Sequence, residues 1–436
     1  MIQAGSDDVS TWIVRLRPLS GAREMSEVSA GLQSVGASRT LEGHPARGGI
    51  SMVVAQARES ELESALHIMG DKVLYVERDA EVQGHEQASP PFWGLDRIDS
   101  RSGLDQLYAG GGAAGGSGVH VYVLDTGIRT FHVEFEGRAI PTLETIEGNV
   151  VVCDPSDKTC ANDVNGHGTH CAGTIGGASS GVARSTTIHA VKTLRDDSTG
   201  KRSWNVLALD WLAVHAQRPA VVSMSLGGSG HSLAYKDAID ALVFSGVVVV
   251  VSAGNSDADA CNYSPAFVPN AITVGATTVS DVRASYSNFG SCLDIFAPGS
   301  HITSAWPTSD IATRSVSGTS MAAPHVSGAA ALLLAKNSRG TASWVRESLI
   351  RAATTNAIFD VQPGSPNLLL FTPASEEGKV RLRGYGSGRA GLEYTVIAGA
   401  LNVAGLWALL AMSYAGYVAG CSLGISATTR PALDTE

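Results

Sequence analysis

Concentrated positive charge is what this chain lacks most. Its 436 residues carry 31 Lys and Arg against 41 Asp and Glu, a formal charge of -10, and no single element gathers a basic cluster. Phosphate backbones are bound by concentrated Lys and Arg, so nucleic acid is excluded as a partner. Cysteine is scarce too. Six residues are too few to carry a disulfide scaffold, although several sit where an oxidised pair can form, which suits an oxidising compartment. Met1–Ser10 is polar and has no apolar h-region, so these residues hold no secretory signal. What the chain does have is apolar surface and glycine. A 44% hydrophobic content with 49 glycines suits a globular α/β protein rich in tight turns, and the length exceeds one ordinary domain.

Three regimes follow one another. In residues 1–83, Thr11–Arg17 alternates as a strand and Glu24–Val35 has helical spacing. Gly49–Ala55 is extended, Glu59–Met69 is helical and Val73–Val76 is a short strand, a β-α-β-α-β rhythm. Residues 84–91 turn polar and end in a proline pair, the pattern of an exposed linker. In residues 92–373 the runs Val119–Leu124, Ile188–Thr193, Ala220–Met224, Val247–Ser252 and Ala271–Val274 alternate with helical stretches. Uninterrupted Val and Ile mark strands covered on both faces, which predicts a doubly wound, mainly parallel α/β sheet with ligands beyond the strand C-termini. Asp125 and Asn255 stand at such ends, and Ser225-Leu226-Gly227-Gly228 follows a third. After a linker at 374–393, residues 394–429 carry no charge, and Val396–Val418 is long and apolar enough to span a bilayer as a helix, for which ~20 residues suffice. A tail, 430–436, closes the chain.

The chemistry concentrates at three places. Ser320 stands at the mouth of an apolar helix, Val326–Leu334, where unpaired backbone N–H groups and the positive end of the helix dipole would stabilise an oxyanion. His167 lies between glycines in Asn165-Gly166-His167-Gly168-Thr169-His170, and Asp125 closes the β-branched run Val121-Tyr122-Val123-Leu124. Taken singly, such residues are turn formers, helix starts and caps. Together they supply a nucleophile, a base and an orienting carboxylate. A zinc site on His167 and His170 lacks the glutamate of the zinc-peptidase helix and a third ligand. Gly318-Thr319-Ser320-Met321-Ala322 is not the Gly-x-Ser-x-Gly of a nucleophile elbow.

Asp125-Thr126-Gly127, Gly166-His167-Gly168-Thr169-His170, Ser252-Ala253-Gly254-Asn255 and Gly318-Thr319-Ser320-Met321-Ala322-Ala323-Pro324-His325 occur in that order. The chain thereby resembles the subtilisin-like serine peptidases, and among them the proteinase K branch, over residues 93–371. The resemblance implies a monomeric serine endopeptidase acting on proteins or peptides. Ser320 would attack, His167 would take its proton, Asp125 would fix the imidazole, and the Asn255 amide would donate to the oxyanion beside the Ser320 N–H. It also implies a zymogen, with residues 1–83 as inhibitory propeptide, Tyr75–Val82 as its closing strand, and maturation within 84–91. The rival from another class is a catalytically silent relative that binds peptides through the same cleft; the intact Asp125, His167, Ser320 and Asn255 disfavour it.

By the same resemblance, Ser198-Thr199-Gly200 and Ser225-Leu226-Gly227 are the two edges between which a peptide adds as a strand. Ser225, Leu226, Gly227, Ser252, Ala253 and Gly254 would wall the first specificity pocket, small and uncharged, so broad specificity with a neutral or apolar preference is expected. Arg202 departs from the branch, which carries an aromatic near the distal pocket. Backbone oxygens of Pro269 and Ala271 with the Asp294 carboxylate match a structural calcium site. Cys261–Cys292 matches a disulfide of bacterial members, Cys153 and Cys160 could close a short loop, and Cys171 matches a free buried cysteine that packs beneath the site. Asn262-Tyr263-Ser264 is a glycosylation sequon inside a family motif and is read as structural. Lys379, Arg381, Arg383 and Arg389 before the apolar span would place the preceding domain in the cytoplasm, whereas disulfides and family habit place it outside. The reading adopted is a secreted or membrane-anchored enzyme with the peptidase domain outside the cytoplasm.

Overall fold

The computed structural model describes residues 9–17, 22–37, 39–43, 49–69, 71–79, 81–83, 92–109, 115–373, 379–383 and 393–397. The chain divides into two compact units, residues 1–373 and 374–436. The first begins with β1 (Ser10–Leu16), α1 (Ala22–Ser34), β2 (Arg39–Glu42), β3 (Met52–Ala57), α2 (Glu59–Met69), β4 (Val73–Arg78) and β5 (Glu81–Gln83). Four of these strands form an antiparallel sheet in the order β2-β3-β1-β4, the ferredoxin-like arrangement. β2 was not expected, because four residues are too few to display a period. Alternation along β1 divides its side chains between two cores. Trp12, Val14 and Leu16 pack with Val28, Leu32 and Leu62 of the helices, whereas Ile13 joins Met52 and Val54 in the core of the larger domain.

The larger domain supplies α3 (Trp93–Asp99), β6 (His120–Asp125), β7 (Ala139–Glu144), β8 (Val151–Val152), α4 (His167–Gly176), β9 (Thr187–Lys192), β10 (Thr199–Lys201), α5 (Arg202–His215) and β11 (Ala220–Met224). It continues with β12 (Gly228–Ser229), α6 (Leu233–Phe244), β13 (Val247–Ser252), β14 (Tyr263–Ser264), β15 (Ile272–Thr277), β16 (Ile295–Pro298), β17 (Ile302–Ala305), β18 (Thr313–Val316), α7 (Thr319–Lys336), α8 (Ala342–Ala352), β19 (Thr354–Thr355) and β20 (Leu368–Leu369). Ten strands share one sheet in the order β19-β20-β16-β15-β13-β11-β6-β9-β7-β8. The strands from β20 to β7 run parallel, and only the edge strands β19 and β8 are reversed. The run of five valines in β13 shows why its sequence does not alternate: Val248 and Val250 pack in the core that includes α7, and Val247, Val249 and Val251 in the core that includes α5 and α6.

α7 starts at Thr319, well before the expected Val326. Pro324 hides this from the sequence. It lacks the N–H that would bond to the Ser320 carbonyl, yet the helix continues through it.

In the second unit, β21 (Lys379–Arg383) pairs antiparallel with β22 (Glu393–Ile397). The first residues of the expected apolar span, up to Ile397, are therefore extended rather than helical. Residues 398–429 of that span, the 84–91 linker, much of the 374–393 linker and the 430–436 tail lie outside the described residues. Among the described residues no helix is long and apolar enough to cross a membrane.

Candidate active site

β6 ends on Asp125, whose Oδ1 accepts from the Thr126 N–H at 2.7 Å and faces His167 Nδ1 at 2.7 Å. Both residues are buried. His167 opens α4, and glycines let that helix come this close. A Cβ on Gly168 would lie 2.1 Å from the Gly127 carbonyl oxygen, and Gly166, at φ 121°, would drive one into the Trp306 ring at 2.4 Å.

A residue that no motif singled out organises this corner. Asp163 is 2% exposed. Its Oδ1 accepts from Thr126 Oγ1 (2.9 Å), Asn165 N (3.0 Å) and Gly166 N (2.9 Å), and its Oδ2 from Thr169 N (2.9 Å) and Thr169 Oγ1 (2.6 Å). Thr126 Oγ1 accepts in turn from Gly168 N at 3.0 Å. One carboxylate thus ties the strand end bearing Asp125 to the helix start bearing His167.

Ser320 is the second residue of α7. Asn255 Oδ1 accepts from Thr319 N (2.9 Å) and Thr319 Oγ1 (2.8 Å), which anchors the amide through its oxygen and leaves its two N–H donors for the cleft. The Ser320 N–H belongs to the first turn, where helix geometry offers no internal acceptor. Ser320 Oγ donates to the Ser225 carbonyl at 3.1 Å. The Ser320 carbonyl, deprived of its helical donor by Pro324, accepts from Ser225 Oγ at 2.8 Å and from the Cys171 thiol at 3.4 Å. Cys171 is four residues after His167, so this contact joins α4 to the first turn of α7.

Asp125, His167 and Cys171 bring ligand-type atoms within 4.8 Å of one another, but each is already engaged, the first two with each other and the thiol with α7. His170 faces away: its Nε2 meets the carbonyls of Ile302 (2.9 Å) and Arg314 (3.1 Å), and burial pushes its pKa down to about 3, so it is a neutral donor.

A cavity of 370 Å³ opens beside Ser320, lined by Leu226, Gly227, Ser252, Ala253, Gly254, Asn255, Tyr263 and Ala266 among others, with no Asp, Glu, His, Lys or Arg in its walls. The Subtilase family model matches residues 116–388, nearly two thirds of the chain. The chain belongs to the subtilase family. It is a serine-type peptidase. It is 50% identical over 303 residues to the extracellular serine proteinase of Thermus sp. (strain Rt41A), covering 69% of this chain and 71% of that one. It is 44% identical over 307 residues to alkaline serine exoprotease A of Vibrio alginolyticus, of which it spans 54%. A crystal structure of a cold adapted subtilisin-like serine proteinase superposes with a TM-score of 0.60 at 45% identity, covering 66% of this chain and all of the other.

Of the two substrate edges expected in this subtilase, Ser198-Thr199-Gly200 leads into β10, which already carries an added strand: Gln83, Val82 and Glu81 of β5 pair antiparallel with Thr199, Gly200 and Lys201. Ser225-Leu226-Gly227 leaves β11 toward the cavity. Two acids of the N-terminal module, also unmarked in the sequence, cap helices beside the cleft. Glu77 accepts from Leu233 N (2.9 Å) and Ser232 Oγ at the start of α6, and Asp79 from Ser203 N (2.8 Å) and Ser203 Oγ at the start of α5. Burial raises both pKa values, that of Asp79 to about 6. Arg202 is buried at the head of α5 and donates to the Ser229 carbonyl.

Cys153 is joined to Cys160 and Cys261 to Cys292, while Cys171 is free and buried. Two of the expected calcium oxygens have a different partner. Arg346 Nη1 donates to the Pro269 carbonyl at 2.6 Å and Nη2 pairs with Asp294 Oδ1, so a cationic side chain stands among these oxygens.

Proposed function

We propose that this subtilase is an endopeptidase made as a zymogen, with Asp125, His167 and Ser320 as its triad and Asn255 in its oxyanion hole. The 2.7 Å contact between the Asp125 carboxylate and His167 Nδ1 carries the reading, because it fixes the imidazole with Nε2 as the working nitrogen. Ser320 Oγ turns from the Ser225 carbonyl to His167 Nε2, which takes its proton as the oxygen attacks the scissile carbonyl. Asp125 steadies the imidazolium without taking the proton. The oxyanion is met by the Ser320 N–H and the Asn255 amide, and His167 then protonates the leaving amine. Water repeats the sequence on the acyl-enzyme.

The substrate lies as a strand between β10 and Ser225-Leu226-Gly227, held mainly through its backbone, so selectivity is broad. The small uncharged cavity walls favour a neutral or apolar side chain before the scissile bond. β5 on the β10 edge, with Glu77 and Asp79 as caps, supports reading residues 1–83 as an inhibitory propeptide released by a cut within 84–91. Two disulfides and the likeness to an extracellular Thermus proteinase support a domain that works outside the cytoplasm.

Expression of Ser320→Ala tests the whole reading. The variant should remain uncut between Gln83 and Phe92 and hydrolyse no peptide, whereas the parent does both. Survival of both activities refutes the assignment.

A further inference from the structure

The oxygens expected to hold calcium converge on a positive charge that the chain itself provides. Asp294 is 7% exposed, and burial raises its carboxyl above the usual range, a rise that Arg346 opposes. Its Oδ2 accepts from Thr273 N at 2.8 Å, and its Oδ1 pairs with the Arg346 guanidinium, which also reaches the Pro269 carbonyl at 2.6 Å. Thr273 Oγ1 donates to the Ala266 carbonyl at 2.8 Å, and Ala266 lines the cavity beside Ser320. The charge therefore closes a chain of contacts from α8, through β15, to the loop beneath the cavity.

We propose that Arg346 is the resident cation of this site and takes the place of a calcium ion there. Calcium needs six to eight oxygens at about 2.3–2.6 Å. Here one planar fork already takes two of the three expected ligands, and a divalent ion would have to share them with a second positive charge. A guanidinium carried on α8 needs no metal supply and does not dissociate. At this locus the subtilase would thus keep its loop clamped in a chelator.

The test uses the full chain in the Ser320→Ala background, so that no readout depends on catalysis and failure of this inference is separable from failure of the functional reading. Crystals soaked in a terbium salt, a calcium mimic with strong anomalous scattering, should show no peak at Asp294; a peak bonded to its carboxylate overturns the proposal. Arg346→Ala, a change at a partly exposed side chain, should lower Tm in EDTA by about 2–4 °C. The same soak of that variant should then show a peak at Asp294. An unchanged Tm, or no peak in the variant, overturns the proposal from the other side.

Discussion

Asn255 and Asp163 act by what they hold. Thr319 binds the Asn255 amide through its oxygen, which in the proposed mechanism leaves the amide N–H groups to meet the oxyanion. Asn255→Ala should lower kcat by about 100- to 1,000-fold, ~3–4 kcal/mol of transition-state stabilisation, with KM little changed, as steady-state kinetics on a chromogenic peptide would show. Asp163 accepts from five donors around His167. Asp163→Ala should cost about 3 kcal/mol or more in denaturant unfolding, because buried donors are left unmatched. It should also lower kcat, as α4 loses its register against β6. Asp125, His167, Ser320 and Asn255 could be proposed from the sequence because each stands in a frame of glycines and small residues. Asp163 was not, since most of its partners are backbone N–H groups, which leave no mark on the side-chain pattern. Arg346 escaped for another reason: 52 residues separate it from Asp294, and nothing in α8 announces a distant carboxylate.

Among elements, the central strands were readable because burial on two faces demands uninterrupted Val and Ile. The edge pieces β2 and β8 were not, being too short to carry a period, and α7 was foreshortened by Pro324. The acids that cap α5 and α6 belong to β4 and the residue after it, so a strand of one module completes helices of another. In the Ser320→Ala chain, Asp79→Ala should weaken that docking by ~1–2 kcal/mol, visible as roughly tenfold faster amide exchange in β5 and the first turn of α5. Unchanged exchange would count against the cap. The Cys261–Cys292 bond closes 31 residues, and its removal by paired Cys→Ser changes should cost about 3–4 kcal/mol by the loop-entropy relation, read from thermal or denaturant unfolding.

For the molecule as a whole, buried imidazoles set a pH response. Burial holds His170 and His189 near a pKa of about 3 and His325 near about 4. Unfolded imidazoles titrate near ~6.5, so below that pH the unfolded chain binds protons the folded one refuses. Their contribution is complete above that value and is lost as pH falls toward the folded pKa. Asp79 and Asp99, raised to about 6, act in the opposite sense over part of the window, so the difference between variants is the clean measure. His189→Gln in the Ser320→Ala chain should reduce the dependence of unfolding free energy between pH 5 and 6 by about one proton, on the order of 1.4 kcal/mol per pH unit. An unaltered slope would refute the assignment. At this scale the α/β class and the family were legible in the sequence, whereas the strand Glu393–Ile397 was not, because an apolar run suits a strand as well as a helix. One consequence comes from α7. It carries Ser320 in its first turn, packs against β11, β13, β15 and β16, and is buried except at Leu333, Ala335 and Lys336. The oxygen proposed to attack is therefore bolted to the keel of the domain: heating should silence hydrolysis and dissolve the sheet along a single superimposable curve, with no interval in which a still-folded population has been disarmed.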